Sequence, residues 1–410
     1  MSDMCATPGL LPFNEALTTI LANVKPITET LTLPIEQALG YVLATSVVSP
    51  VNVPPHDNSA MDGYAFALQS LHESSRLTLA GRSMAGAPYD GLCRPGQCIR
   101  IMTGAKIPTG CDTVEMQENT RIDDDNVDFL ANKSLGANVR KAGEDINMGD
   151  TVLIAGKTLN AVDIGILASL GIAEIVVYRK LKAALIATGD ELKSPGQQLL
   201  EGDIYESNRF VLAGMLAKLN VEIINFGIID DDITLLKKTF VQADAQADVV
   251  ISSGGVSVGE ADYTKTVLEQ LGTVGFWKIA MKPGKPLAFG ALENSVFFGL
   301  PGNPVSALIT FHQLALVAIV KMQNASLLKR TQLMAKTVST LKKSPGRQDF
   351  QRGIFSVNEA GENIVTSTGA QGSGILSSLL GANCFIILAS EQGQVNAGDM
   401  VKVELFDQYL

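Results

Sequence analysis

The sequence predicts a multidomain α/β plus β protein. A central, doubly wound, mainly parallel sheet has β-rich subdomains before it and a small β-barrel-like domain after it. Three observations lead there. Residues 181–326 alternate short apolar runs with helical patterns, as in a sheet covered by helices on both faces. Residues 56–150 are rich in Gly, Pro and short alternating runs, as in antiparallel β structure. Beyond residue 327 the segments shorten again, which points to a small all-β domain. The expected organisation is an N-terminal region 1–180 with an inserted β-rich subdomain at about 46–146, an α/β domain 181–326 and a C-terminal β domain 327–410.

In chain order, Phe13, Ala16, Leu17, Ile20, Leu21 and Val24 recur at three and four, which predicts an amphipathic helix stopped by Pro26. A short helix at Ile35–Leu39 and β-prone Tyr41–Val48 follow, and Pro54-Pro55 marks a break. Gln97–Met102 and Thr113–Met116 alternate as strands. Ala161, Ile164, Leu167 and Leu170 share a helix face that Gly171 ends. The α/β domain then reads: strand Ala183–Ala187, helix Asn208–Leu219, strand Val221–Ile229, helix Leu235–Ala243 and strand Asp248–Ser252. Helix Asp262–Leu271, strands Gly275–Met281, Leu287–Phe289 and Val296–Leu300, and a long helix from Val305 complete it. Segments such as Thr331–Thr340 and Cys384–Ala389 supply the last domain.

Composition narrows the partners. The chain has 410 residues, a length for about two to four domains. Hydrophobic residues make up 46% and charged residues 18%, so there is ample core and no disordered character. A net charge of −10 speaks against a nucleic-acid partner, because such proteins carry a basic footprint. An anionic small ligand is still compatible with local Lys, Arg and backbone N–H groups. Cys5, Cys93, Cys98, Cys111 and Cys384 form no Cys-x-x-Cys pair, and His56, His72 and His312 are scattered. Reduced thiols in a cytoplasmic protein are expected, without a zinc cluster. The N-terminus lacks the layout of a signal peptide, and the apolar stretch Val305–Val320 is interrupted by His312 and Gln313, so no membrane association is expected.

Four expected strands of the central domain end in polar or glycine-bearing loops: Thr188-Gly-Asp-Glu191, Asp230-Asp-Asp232, Ser252-Ser-Gly-Gly255 and Pro301-Gly-Asn-Pro304. In a parallel sheet these ends lie on one edge, where ligands bind. Ser252, Gly254 and Gly255 open a strand into a phosphate cradle, and Asp262 follows it. Glu191, Asp231 and Asp262 beside a phosphate would repel it without a cation, and Mg²⁺ is the hard ion that bridges carboxylates and phosphates. Lys278, Lys282 and Lys285 offer opposite charge, the last two around a Pro-Gly turn. Each loop has a plainer reading: Gly-Gly as a turn, Asp230–Asp232 as a helix cap, Pro301–Pro304 as a rigid turn into a helix, the lysine segment as a solvated turn.

Taken with Asp57–Ala65, Arg100–Ala105, Gly143-Glu-Asp-Ile146, Ser252–Lys265, Leu300–Ala307 and Gln371-Gly-Ser373, these segments resemble the molybdopterin molybdenumtransferase family. That family comprises MoeA in bacteria and the E domain of gephyrin in animals. The likeness runs through nearly the whole chain in order. It implies insertion of molybdate into adenylylated molybdopterin with release of AMP, giving molybdenum cofactor. It implies Mg²⁺, with Zn²⁺ as the other metal considered for the family. It also implies a homodimer in which the N-terminal β subdomain of one chain reaches the middle domain of the other. Further partners would be the molybdopterin adenylyltransferase and the enzymes that receive the cofactor.

By this resemblance Asp62, Thr103, Asp145, Glu191, Asp231, Asp262, Lys278 and Lys282 match active-site positions, as do Pro301 and Pro304 in the rigid loop. Lys285, Ser373 and one of Arg347 or Arg352 match a molybdate site of eukaryotic relatives. Two other functions share some of these features. A molybdopterin adenylyltransferase using Mg-ATP shares the Ser-Gly-Gly loop but is a single domain. A non-catalytic scaffold that binds partner peptides is the other.

Overall fold

A computed structural model describes residues 9–130, 134–255, 263–326 and 330–410. Asp262, and with it the expected start of the helix after the glycine loop, lies outside the described residues. The chain divides into two compact units: residues 32–39 with 43–176, and the remainder.

The first unit is built on a six-stranded sheet in the order Thr113–Met116, Gly63–Phe66, Gln97–Ile101, Arg76–Ser83, Asn126–Phe129, Thr120–Asp123. All neighbours are antiparallel except Arg76–Ser83 with Gln97–Ile101. Alternation along Gly63–Phe66 sends Tyr64 and Phe66 into one apolar cluster with Leu77, Val127 and Phe129. Ala65 enters another with Ile101, Ala105 and Val114. Gly63 has no room for a side chain: a Cβ would stand 1.8 Å from the Glu115 carbonyl oxygen. The helix Ala161–Ser169 starts on a capping box, with Asn160 accepting from Val162 and Asp163 and the Asp163 carboxylate accepting from Asn160 N. The expected strand over Tyr41–Val48 shrinks to Val47–Val48. Its earlier backbone groups pair with a turn instead, Leu43 N donating to Lys157 O and Gly156 N to Leu43 O.

The second unit holds a six-stranded sheet in the order Glu222–Ile229, Lys182–Thr188, Val249–Ser253, Val296–Leu300, Pro286–Ala291, Thr273–Lys278. The first four strands are parallel and the last two antiparallel. Odd-numbered residues such as Ala183, Leu185, Val249 and Ile251 pack against Leu212, Met215 and Leu216 of helix Asn208–Lys218 and against Val305–Ile319. Even-numbered Ala184, Ile186 and Val250 pack against Leu236, Phe240 and Ala243 of helix Ile233–Gln246 and against Val267 and Leu268 of helix Tyr263–Leu271. Helices therefore cover both faces, which explains why these strands read as nearly continuous apolar runs. Burying each large side chain contributes roughly 1.5–3 kcal/mol.

Two departures from the sequence reading concern the same end of this unit. The expected strand Gly275–Met281 stops at Lys278. Met281–Lys282 leaves the sheet and pairs in parallel with Gln348 and Asp349 of the next domain. The long helix spans Pro304–Met322 and carries a π-helical segment, Phe311–Ala315, in its middle. Along that segment His312 pairs with Asp407 at 3.0 Å and Gln313 donates to Glu404 at 2.8 Å, both buried polar contacts with the C-terminal residues. This helix is long and apolar enough to cross a membrane (mean hydropathy 1.7), yet 89% of its apolar stretch is buried inside the fold.

The C-terminal residues form a closed five-stranded barrel. Its ring runs Gln348–Val357, Asn363–Ser367, Gln332–Thr337, Met400–Leu405, Cys384–Leu388 and back to Gln348–Val357. Ala335, Leu341, Val365, Ile386, Leu388 and Val403 fill it.

Candidate active site

The C-terminal ends of the parallel strands open on a cleft of about 380 Å³. Its walls are Thr188, Gly189 and Glu191 after one strand, Asp231 after another, Ser253–Gly255 after a third, and Pro301–Pro304 with Ser306 after the fourth. This is the edge that a parallel sheet leaves uncovered, because the connecting helices run back along the faces.

Each loop has a local reason for its shape. Gly254 and Gly255 both take positive φ, +94° and +65°, which side chains rarely adopt, and this turns the strand sharply. The Gly254 N–H donates to Leu300 O at 3.1 Å and so fixes the turn to the neighbouring strand end. The Glu191 carboxylate folds back over its own turn, with Oε2 only 2.5 Å from where a Gly189 Cβ would be. The acids after Ile229 divide their work. Asp232 caps the helix by accepting from Leu235 N at 2.8 Å, while Asp231 lines the cleft and its N–H donates to Asp190 Oδ1 at 2.9 Å. The cap reading of that tripeptide thus applies to Asp232, and Asp231 is the acid placed in the cleft. Pro304 stands at the first turn of the long helix, where its missing N–H costs nothing. Val305 N donates to Ser373 O at 3.0 Å, so the barrel loop 371–374 is fastened to the helix start.

The cleft is negatively charged. Partial burial raises the Asp231 carboxyl above its ordinary value, and repulsion from Asp190, Glu191 and Asp230 adds to it. Among the described residues no three His, Cys, Asp or Glu side chains gather as a metal site. Three carboxylates among the described residues line the cleft; Glu206 is tied to Arg209, whereas Glu191 and Asp231 face it without such a partner, and Mg²⁺ is commonly held by one or two carboxylates plus ligand phosphates.

Other expected residues fall elsewhere. Ser252 faces away from the cleft: it is fully buried on the opposite side of its strand, its hydroxyl without a partner among the described residues, and Ser253 lines the cleft instead. A strand sends successive side chains to opposite faces, so only one of the two serines can point in. Lys278, Lys282 and Lys285 are exposed and do not line it. Lys282 approaches Asp349 at 3.9 Å because its short strand is paired with that residue. Arg352 is 1% exposed and donates from Nε to Ser378 Oγ at 3.0 Å and from Nη2 to the Gly372 and Ala370 carbonyls. Burial brings its pKa down to about 10, and it holds the 370–374 loop from inside. That position does not suit an arginine that receives a soluble oxyanion; Arg347 is half-exposed. Pro286 of the lysine turn does reach the cleft wall.

In the first unit, Asp62 and Thr103 form a tight pair. Thr103 donates to Asp62 Oδ1 from its N–H at 2.8 Å and its hydroxyl at 2.7 Å, and these bonds, backbone first, hold the carboxyl below its ordinary value. Asp145 is exposed, its N–H donating to Val53 O at 3.0 Å.

The sequence reading missed Asn208. Its Nδ2 donates to Ser253 Oγ at 2.6 Å and to Gly302 O at 2.7 Å, tying two walls of the cleft together. The available signal was a polar group opening a helix directly after a short β segment, Tyr205-Glu-Ser-Asn208. A larger cavity, about 940 Å³, lies between helix Phe13–Asn23 and the barrel. None of the expected site residues lines it, so its volume does not make it the seat of the chemistry.

Three family descriptions match the chain in order: "MoeA N-terminal region (domain I and II)" over residues 11–171, "Probable molybdopterin binding domain" over 184–321 and "MoeA C-terminal region (domain IV)" over 335–406. A molybdopterin molybdenumtransferase of Haemophilus influenzae is 46% identical over 403 residues, covering 98% of this chain and 100% of that one. Gephyrin of Dictyostelium discoideum is 31% identical over 97% of this chain and 62% of its own length. The crystal structure of the molybdopterin biosynthesis MoeA protein from Pyrococcus horikoshii superposes with a TM-score of 0.84 at 29% identity, over 97% of this chain and 100% of that one.

Proposed function

The chain belongs to the molybdopterin molybdenumtransferase family, transferases that insert molybdenum during molybdenum-cofactor biosynthesis, and from that premise we propose how its cleft is used. The substrate is adenylylated molybdopterin, with molybdate as second substrate and AMP as product. The pyrophosphate lies on the Gly254–Gly255 turn, against the start of the long helix at Pro304. Pro301 keeps that wall rigid. Molybdate exchanges oxygens for the two dithiolene sulfurs of the substrate, so no cysteine of the protein is needed.

Glu191 and Asp231 would hold Mg²⁺, which neutralises phosphate oxygens when bound. An all-oxygen donor pair suits this ion better than Zn²⁺, which favours nitrogen and sulfur ligands. Asp262 belongs to the same proposed set. Lys278, Lys282, Lys285, Arg347 and Ser373 serve the oxyanion, with Arg347 rather than Arg352 as the arginine that meets molybdate. Asp62, Thr103 and Asp145 of a second copy complete the site in a homodimer. The protein acts in the cytoplasm and hands its product to cofactor-receiving enzymes; the free described cysteines, Cys93, Cys98, Cys111 and Cys384, accord with a reducing compartment.

The observation that carries this reading is the convergence of Glu191 and Asp231 with Gly254, Gly255, Pro301 and Pro304 on one cleft. The test is incubation of the purified protein with adenylylated molybdopterin, molybdate and Mg²⁺. AMP release and activation of a cofactor-free molybdoenzyme are expected, and neither should occur with Asp231→Ala. Formation of adenylylated molybdopterin from ATP and molybdopterin would reverse the assignment. For the dimer, mixing Asp62→Ala with Asp231→Ala protein should restore part of the activity that each lacks; no restoration would refute the shared site.

A further inference from the structure

Thr188 ends the strand Lys182–Thr188 and lines the cleft, although only 4% of it is exposed. Its hydroxyl is buried and has no hydrogen-bond partner among the described residues. Parallel pairing of Ala187 with Ser253 sets it beside the glycine turn. There the hydroxyl lies 3.0 Å from the positions that a Cβ would take on Gly254 and on Gly255. The two glycines thus bring bare backbone against the Thr188 hydroxyl, with the Thr264 hydroxyl on the far side of Gly255, 2.2 Å from where its Cβ would be. A buried hydroxyl without a partner is uncommon and costly, because the water it gave up is not replaced. Among the described residues the cleft is lined by carboxylates and by no Lys or Arg, so a ligand oxyanion there gains from neutral donors beside the proposed Mg²⁺.

We propose that Thr188 is a further substrate-binding residue, whose hydroxyl donates a hydrogen bond to the phosphoryl oxygen seated on Gly254–Gly255. This rests on the cleft being the pyrophosphate site proposed above. The arrangement has a chemical logic. A threonine hydroxyl can turn its proton toward an anion without adding charge, and its methyl group packs against the strand. The residue therefore distinguishes a phosphorylated ligand from an unphosphorylated pterin.

The test is titration calorimetry of the full chain with two probes, inorganic pyrophosphate and AMP, on the parent protein, Thr188→Val and Thr188→Ser. Valine keeps the shape and removes the hydroxyl; serine keeps the hydroxyl. The Val variant should bind pyrophosphate about tenfold more weakly or worse, and the Ser variant within about threefold of the parent, as expected for one hydrogen bond to a charged acceptor. Thermal unfolding is the second readout. Because the hydroxyl has no partner to lose among the described residues, the Val variant should melt at the parent temperature or above it. A parent protein that binds neither probe overturns the functional reading and this inference together. A parent that binds, with Thr188→Val equal to it, overturns the inference alone. So does a Val variant that melts lower with unchanged affinity, since the hydroxyl would then be satisfied within the chain.

Discussion

Replacing Asp231 by Asn should stop the reaction and stabilise the protein. The Asp231 carboxyl is raised above 3.8 by partial burial and by the neighbouring Asp190, Glu191 and Asp230. Between the unfolded and folded values the folded chain binds more protons, so this group's contribution falls as pH rises through that window. At neutral pH the carboxylate is therefore a net liability that Asn removes. The group is mostly open to solvent, and screening reduces the gain to about 0.5 kcal/mol. For a unit of this size that is an increase of roughly 1–2 °C in melting temperature. The advantage of Asn should shrink as pH falls through that window and vanish well below 3.8, where the carboxyl is protonated in the folded and the unfolded chain alike. Saturating Mg²⁺ should raise the melting temperature of the parent and leave the Asn variant nearly unmoved. Calorimetry across pH, with and without Mg²⁺, reads both effects, and AMP release should fall at least about 100-fold. An Asn variant less stable than the parent at neutral pH, or an equal Mg²⁺ shift in both proteins, would refute the reasoning.

Other perturbations separate structure from chemistry. Asn208→Ala loses two hydrogen bonds and should cost about 1–2 kcal/mol, with lower kcat/KM for AMP release. Asn208→Asp should not rescue it, because a carboxylate cannot donate; a fully active Asp variant would show that the amide donors do not matter. Gly63→Ala forces a Cβ onto the Glu115 carbonyl and should cost about 2–3 kcal/mol, read as a lower urea midpoint. Arg352→Met should lower stability by about 3 kcal/mol through loss of its buried bonds. Arg347→Ala should leave the melting temperature unchanged and raise the KM for molybdate; the opposite pattern in the two arginines would reverse their roles.

The strands and helices of the second unit were legible because both sheet faces are apolar and their loops carry Gly, Pro and Asp at the turning points. Glu191, Asp231, Gly254 and Pro301 could be chosen from that pattern alone, since parallel strands put their ends on one edge. What escaped depends on orientation and long-range pairing. Ser252 and Ser253 are chemically identical in the sequence, and only the phase of the strand separates them. Arg347 and Arg352 both fit the same motif, and only packing shows which is sealed in. Asn208 looks like an ordinary helix-opening residue until the loops from Ser253 and Gly302 are folded against it. The π-helical turn at Phe311–Ala315 leaves only the polar pair His312 and Gln313 as a mark in the sequence, and a polar pair in a buried helix does not specify a wider turn.

The parallel pairing of Met281–Lys282 with Gln348 and Asp349, joined by the Gln348 N–H to the Ala280 carbonyl at 2.8 Å, has a kinetic consequence. The lysine turn leaves the parallel sheet at one end and is stitched to a closed barrel at the other. Its amides on the paired side should exchange with deuterium on the timescale at which the barrel opens, not that of an exposed loop. A residue far around the ring of strands can then set how long the turn stays in place, and variation in the barrel would tune the lysines without touching them.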